Sequence, residues 1–113
     1  SEIFIQKYQK NISLTNDPMD ACKDADIVVT DVWTSMGQES EKNQRESAFS
    51  GFQVNELMMN QARKDAVFMH CLPAYRGIEV SPEVIDGSQS VVWSEAENRL
   101  HVQKSLLLHL IKG

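Results

Sequence analysis

Ala66-Val67-Phe68-Met69-His70-Cys71-Leu72-Pro73 is an apolar, strand-forming run that stops at a proline. Proline gives no ladder hydrogen bond and cannot continue a central strand, so a histidine and a cysteine stand where this strand must end. Ile27-Val28-Val29-Thr30-Asp31-Val32 has the same character: it is rich in β-branched residues and lacks the apolar–polar alternation of a half-solvated strand. Runs of this kind belong to parallel strands covered on both faces. Strands alternating with short helices make a parallel α/β sheet, in which ligands gather beyond the carboxyl ends of the strands. The residues at Asp31 and at His70 to Pro73 are therefore the first candidates for chemistry.

Helix signals flank both runs. Ile3, Phe4, Ile5 and Tyr8 fit a helix end or a short strand, and the helix end is preferred. Ile12 and Leu14 lead into Asn16-Asp17-Pro18, where Asp17 can cap a short helix that starts at Pro18, carries Asp20 in its first turn and runs through Lys23. Thr34 to Ser40, with Gly37, reads as a loop; Glu41 to Phe52 carries Ala48, Phe49 and Phe52 at helical spacing. Asn55 to Lys64 puts Leu57, Met58 and Ala62 near one helical face. Ser81-Pro82-Glu83 reads as an N-cap followed by proline and opens a short helix that Gly87 would end, and Ser90 to Trp93 reads as a last strand. Ser94-Glu95-Ala96-Glu97 has the form of a capping box before a C-terminal helix with an apolar stripe of Leu100, Leu107, Leu110 and Ile111.

The 113 residues suffice for one domain, with 11 basic against 16 acidic side chains and a net charge of −5. An acidic chain with few aromatic rings is poorly suited to nucleic acid, which needs clustered cations and stacking surfaces. Cys22 and Cys71 form neither a disulfide framework nor a metal clip, which points to a reducing compartment. No signal-like start or membrane-length apolar run is present in the sequence, so export and membrane insertion are not expected.

At the first strand end, Asp31 can accept hydrogen bonds from an ammonium, Ser35 can bond a carboxylate or amine, and Gly37 lets backbone approach a ligand. The same residues also make an ordinary capped, solvated turn. At the second, Cys71 beside His70 suits a thiolate of lowered pKa, but spacing alone favours a small buried hydrophobe next to a hydrogen-bonded histidine. Neighbours on a strand face opposite ways, so His70 is badly placed to act as the direct base for Cys71. A zinc site has little support, because His101 and His109 are eight residues apart on a helix. Arg99, in the first turns of the last helix, suits a phosphate or carboxylate, or a surface pair with Glu95; Arg76-Gly77 reads as a turn whose arginine can face the cleft.

Taken together, Asp31 through Gln38, His70 through Pro73 and Glu95-Ala96-Glu97-Asn98-Arg99 occur in an order that resembles the ornithine carbamoyltransferase family over nearly the whole chain. The Ser35-Met36-Gly37 loop after Asp31 looks like the one that selects ornithine among acceptors. The resemblance implies a partial domain of the aspartate/ornithine carbamoyltransferase fold: a Rossmann-like, three-layer α/β parallel sheet, here the C-terminal portion of the ornithine-binding domain over residues 1–113, without the carbamoyl-phosphate domain. It further implies the transfer of a carbamoyl group from carbamoyl phosphate to L-ornithine, giving L-citrulline and phosphate, in arginine biosynthesis or urea-cycle metabolism. No metal or organic cofactor is implied.

By the same resemblance Asp31 would hold the amines of ornithine, while Ser35 and the Met36 backbone hold its amino-acid end. Cys71 would stand beside the reacting amine, the Leu72 carbonyl would orient the carbamoyl amide, and Arg99 would bind carbamoyl phosphate. Asp31, Cys71 and Arg99 are thus the expected catalytic residues. The complete enzyme would be a cytoplasmic homotrimer, or one of the mitochondrial matrix in a eukaryote, and this chain alone would be inactive and would not form the trimer. Strands preceding this segment lie inside the family's sheet, which implies a gap beside Ile12 to Leu14. The alternative is a noncatalytic fragment or interaction module that keeps only the fold.

Overall fold

The computed structural model describes Tyr8, residues 11–34 and residues 47–113. The helix end expected at Ile3 to Ile5, most of the loop at 34–40 and the first half of the helix at 41–52 lie outside those residues. The elements run α1 (Pro18–Cys22), β1 (Ile27–Thr30), α2 (Glu56–Met59), β2 (Val67–His70), α3 (Pro82–Ile85) and α4 (Val92–Lys112).

The two strands pair in parallel, Ile27 with Val67 through Thr30 with His70, so both carboxyl ends open on the same edge. Asp17 caps α1 as its position before proline requires, its carboxylate accepting from the backbone N–H groups of Met19 and Asp20. Asn55 caps α2 in the same way through the Met58 N–H. These short helices press Cys22, Met58 and Met59 against Val28 and Phe68, and Val54, Val80, Val84, Ile85 and Val92 complete the cluster. Phe68 is fully buried. It is also tied on its far side, its N–H donating to Gln89 O and its carbonyl accepting from Val91 N.

Several expectations are corrected. Only Val28 and Phe68 turn into this cluster; on the other face Ile27 and Val29 are 53% and 64% exposed. A run apolar on both faces says that both are to be covered, not that the same stretch of chain covers them. The helix expected over 55–64 ends at Met59, and Leu57 points to solvent. Ser81 makes no side-chain cap bond to α3. Ser90 forms one bridge to Phe68, and the backbone then turns straight into α4 at Val92, so the expected strand through Trp93 does not form. Ser94 consequently lies inside the helix and not at its cap. The stripe of Leu100, Leu107, Leu110 and Ile111 is exposed, α4 burying only Val92. Residues 12–15 join no ladder, and Leu14 is exposed.

Candidate functional site

Parallel pairing in register places Asp31, the residue after β1, beside Cys71, the residue after β2. Their side chains meet: Cys71 Sγ donates to Asp31 Oδ1 at 3.2 Å. Asp31 Oδ1 also accepts from the Val32 N–H at 2.7 Å. The Cys71 bond, and then the Val32 bond, hold the Asp31 carboxyl below the usual carboxylate range. The same carboxylate pushes the Cys71 thiol up, with partial burial acting in the same direction. Cys71 is therefore neither the thiolate of lowered pKa nor the buried hydrophobe that the sequence allows: the neighbouring negative charge favours the protonated thiol, which donates in this arrangement, and the residue is exposed.

His70 is fully buried, and both of its ring nitrogens bond groups other than that pair. Its Nδ1 accepts from the Leu72 N–H at 2.9 Å, and Nε2 lies 3.1 Å from Glu79 Oε1. A backbone N–H can donate only to an unprotonated ring nitrogen, which puts the ring proton on Nε2 and aims it at Glu79. His70 is thus not the base for Cys71, as the alternation of side chains along a strand anticipates. Donor atoms of Asp31, His70 and Cys71 do lie within 4.8 Å of one another. Both ring nitrogens of His70 are committed, however, so a cation there would first have to break the bond to Leu72.

Glu79 was not singled out in the sequence, although an acid between Ile78 and Val80 is the signal that could have found it, since buried carboxylates require partners. It is fully buried, and Oε1 also accepts from the Tyr75 N–H at 2.7 Å. Leu72, between these bonds, has φ 55°, a left-handed conformation that costs a branched side chain about 1–2 kcal/mol. The ring of His70 and the carboxylate of Glu79 hold that strained backbone in place.

Glu95 does not pair with Arg99. Its Oε2 accepts from the His70 N–H at 3.0 Å, fixing the first turns of α4 to the end of β2. Arg99 is exposed, makes no ion pair among the described residues, and stands one turn beyond Glu95 on the same helical face. Arg76 is engaged away from the cleft in a two-bond pair with Asp86, at 2.7 and 2.8 Å. The structure thus brings Asp31, Cys71 and Leu72 together and sets Arg99 on the helix that abuts them; Ser35 and Met36 lie outside the described residues. Below Asp31, a cleft of about 500 Å³ is lined by Val28, Trp33, Phe52 and Met58, and Asp31 is the one charged residue among those lining it.

A family model described as "Aspartate/ornithine carbamoyltransferase, Asp/Orn binding domain" matches residues 1–110. An ornithine carbamoyltransferase of Ruthia magnifica is 61% identical over 108 residues, which are 96% of this chain and 36% of that protein. The crystal structure of anabolic ornithine carbamoyltransferase from Campylobacter jejuni superposes with TM-score 0.87 at 44% identity, over 98% of this chain and 38% of that one. The Pyrococcus furiosus ornithine carbamoyltransferase gives 0.75 at 57% identity, over 80% and 29%. The chain thus spans about a third of the length of the relatives it matches. With a parallel pair of strands ending in Asp31 and Cys71 and the match running from residue 1 to residue 110, the chain belongs to the aspartate/ornithine carbamoyltransferase family, to its Asp/Orn binding domain.

Proposed function

We propose that this chain supplies the ornithine side of an ornithine carbamoyltransferase, which joins carbamoyl phosphate and L-ornithine to give L-citrulline and phosphate. The observation that carries the reading is the Asp31–Cys71 contact at the shared carboxyl edge of the strands, in a chain 61% identical to a named ornithine carbamoyltransferase. Asp31, held ionised by its thiol and amide partners, attracts and orients the cationic amines of ornithine. Cys71 donates rather than attacks. Ser35 and the Met36 backbone take the amino-acid end of the substrate.

The reaction needs no covalent bond to the protein. The neutral δ-amine attacks the carbonyl carbon of carbamoyl phosphate, a C–N bond forms, the C–O bond to phosphate breaks, and the nitrogen loses a proton. The Leu72 carbonyl orients the carbamoyl amide, and the Arg99 guanidinium offsets the charge that develops on oxygen. Arg99 is exposed in this chain, and we assign the opposite wall of its site to the carbamoyl-phosphate domain, which the complete enzyme carries in a homotrimer. The role is in arginine-forming metabolism, in the cytoplasm or an equivalent reducing compartment.

Calorimetric titration of the chain with L-ornithine, carbamoyl phosphate and a bisubstrate analogue tests the binding half of this reading. Weak but saturable binding of ornithine supports it, whereas the absence of any binding favours a piece that keeps only the fold. Turnover is tested by joining the chain to the N-terminal portion of the Ruthia magnifica relative. There, Asp31→Asn should lower kcat/KM at least about a hundredfold while leaving the melting temperature nearly unchanged, because an exposed carboxylate adds little to the core.

A further inference from the structure

We propose that Gln53 is a positioning residue for the strand-end site: its carboxamide clamps the turn over residues 75–80 and, through Glu79 and His70, sets the Leu72 backbone. This inference rests on the carbamoyltransferase reading.

Gln53 Nε2 donates to two successive carbonyl oxygens, Gly77 O at 2.8 Å and Ile78 O at 3.0 Å. A carboxamide suits this position because its two N–H bonds diverge from one uncharged nitrogen; a carboxylate of the same shape has no hydrogen to give. The turn it holds is folded on itself, with Gly77 N donating to Val80 O at 2.8 Å and Ile78 N to Tyr75 O at 3.0 Å. Gly77 takes φ +85°, which leaves its carbonyl free to meet Gln53.

The next residue continues the clamp. Val54 N donates to Glu79 O, and Val54 O accepts from Ser81 N, each at 2.9 Å. The Glu79 backbone is thereby fixed while its carboxylate reaches the other way, to the Tyr75 N–H and the ring of His70. From Gln53 to the Leu72 N–H the path runs through the hydrogen bonds to the Gly77 and Ile78 carbonyls, one peptide link to Glu79, and the Glu79–His70 and Leu72–His70 hydrogen bonds. Its last member, the left-handed Leu72, is the residue whose carbonyl is assigned to the carbamoyl group, and it takes that conformation only while something holds it. Asp31, by contrast, is outside the series, at the end of a separate strand. Loosening the clamp should therefore impair the chemical step more than the capture of ornithine.

The test is Gln53→Glu, which keeps shape but turns an acceptor toward two carbonyls, with Gln53→Ala as the milder change, both in the complete enzyme joined as above. Gln53→Glu is expected to lower kcat about tenfold with the ornithine KM within about twofold of wild type. Hydrogen exchange at the Leu72 and Tyr75 amides should quicken by about tenfold in the same variant, with Gln53→Ala between it and wild type. Unchanged kcat and unchanged protection of these two amides overturns the proposal, and so does a lowered melting temperature with both left intact, because that result makes Gln53 structural only. If the wild-type enzyme shows no turnover, the functional reading fails, and the amide exchange still decides whether Gln53 holds Leu72.

Discussion

Cys71 Sγ donates a hydrogen bond to Asp31 Oδ1, a contact between residues 40 apart in sequence that adjoin because each follows the last residue of one of two paired parallel strands. The bond stabilises the ionised acid and the protonated thiol together, lowering one pKa and raising the other. Removing either partner should shift the other toward its ordinary value.

Alkylation of Cys71 should accordingly be slow at neutral pH for so exposed a cysteine, and its onset should lie above that of a free thiol. Asp31→Asn removes the negative charge and should move the onset to lower pH, quickening alkylation at pH 8 several-fold, or about 3–10-fold. Cys22, raised by burial alone, should be unaffected by that change. Iodoacetamide labelling followed by mass spectrometry separates the two sites. Equal onset in wild type and variant would remove the Asp31–Cys71 coupling.

How much of this was legible in the sequence differs from residue to residue. The β-branched runs and the proline after Leu72 gave the two strands and put Asp31 and Cys71 on one edge, because strand propensity and ladder chemistry are local. Asp17-Pro18 gave the start of α1 for the same reason. The start of α4 was misplaced since Ser94 has cap chemistry, yet the backbone is drawn into helix earlier by the bonds of residues 89–91 to Phe68, which are tertiary. Glu95 and Gln53 were invisible as site-supporting residues: each acts on a backbone group 24 or 25 residues away, and no spacing rule announces such a bond.

Gly87 stands two residues beyond the end of α3, and a Cβ there would collide with the Glu83 carbonyl oxygen and come within 3.3 Å of that of Val84. Both obstacles are backbone, so neither can rotate aside. Gly87→Ala should destabilise the fold by about 1–3 kcal/mol, the range for a clash that forces backbone to shift. Urea denaturation followed by circular dichroism reads this directly, and a variant as stable as wild type would show that the end of α3 is free to relax.

Arg76 and Asp86 form a geometrically good but solvent-exposed pair that ties the turn after Pro73 to the end of α3. The arginine holds the Asp86 carboxyl below its usual range. A carboxyl depressed in the folded state stabilises it above the unfolded pKa of about 3.9 and loses that contribution as pH falls through the folded value. Arg76→Ala should therefore lower the melting temperature slightly at pH 7, and the difference from wild type should vanish in about 1 M salt and in strong acid. A difference that survives both treatments would mean that Arg76 acts by packing and not by charge.

The pH dependence of turnover in the complete enzyme tests the neutral-amine mechanism. A free alkyl amine has a pKa of about 10.4, so at neutral pH the δ-amine of ornithine is an ammonium and cannot attack until it loses its proton. Asp31 stays ionised well below neutrality and adds no titration above it, whereas Cys71, raised by Asp31, titrates on the alkaline side. The rate should thus rise with pH above neutrality, and two groups can cause the rise. Cys71→Ser separates them, because serine does not ionise in this range: a slope retained in the variant belongs to the amine, and a slope lost belongs to the thiol. A rate flat from about pH 6 to about pH 9, with ornithine saturating and chemistry shown to be limiting by the absence of a pre-steady-state burst, would contradict attack by the neutral amine.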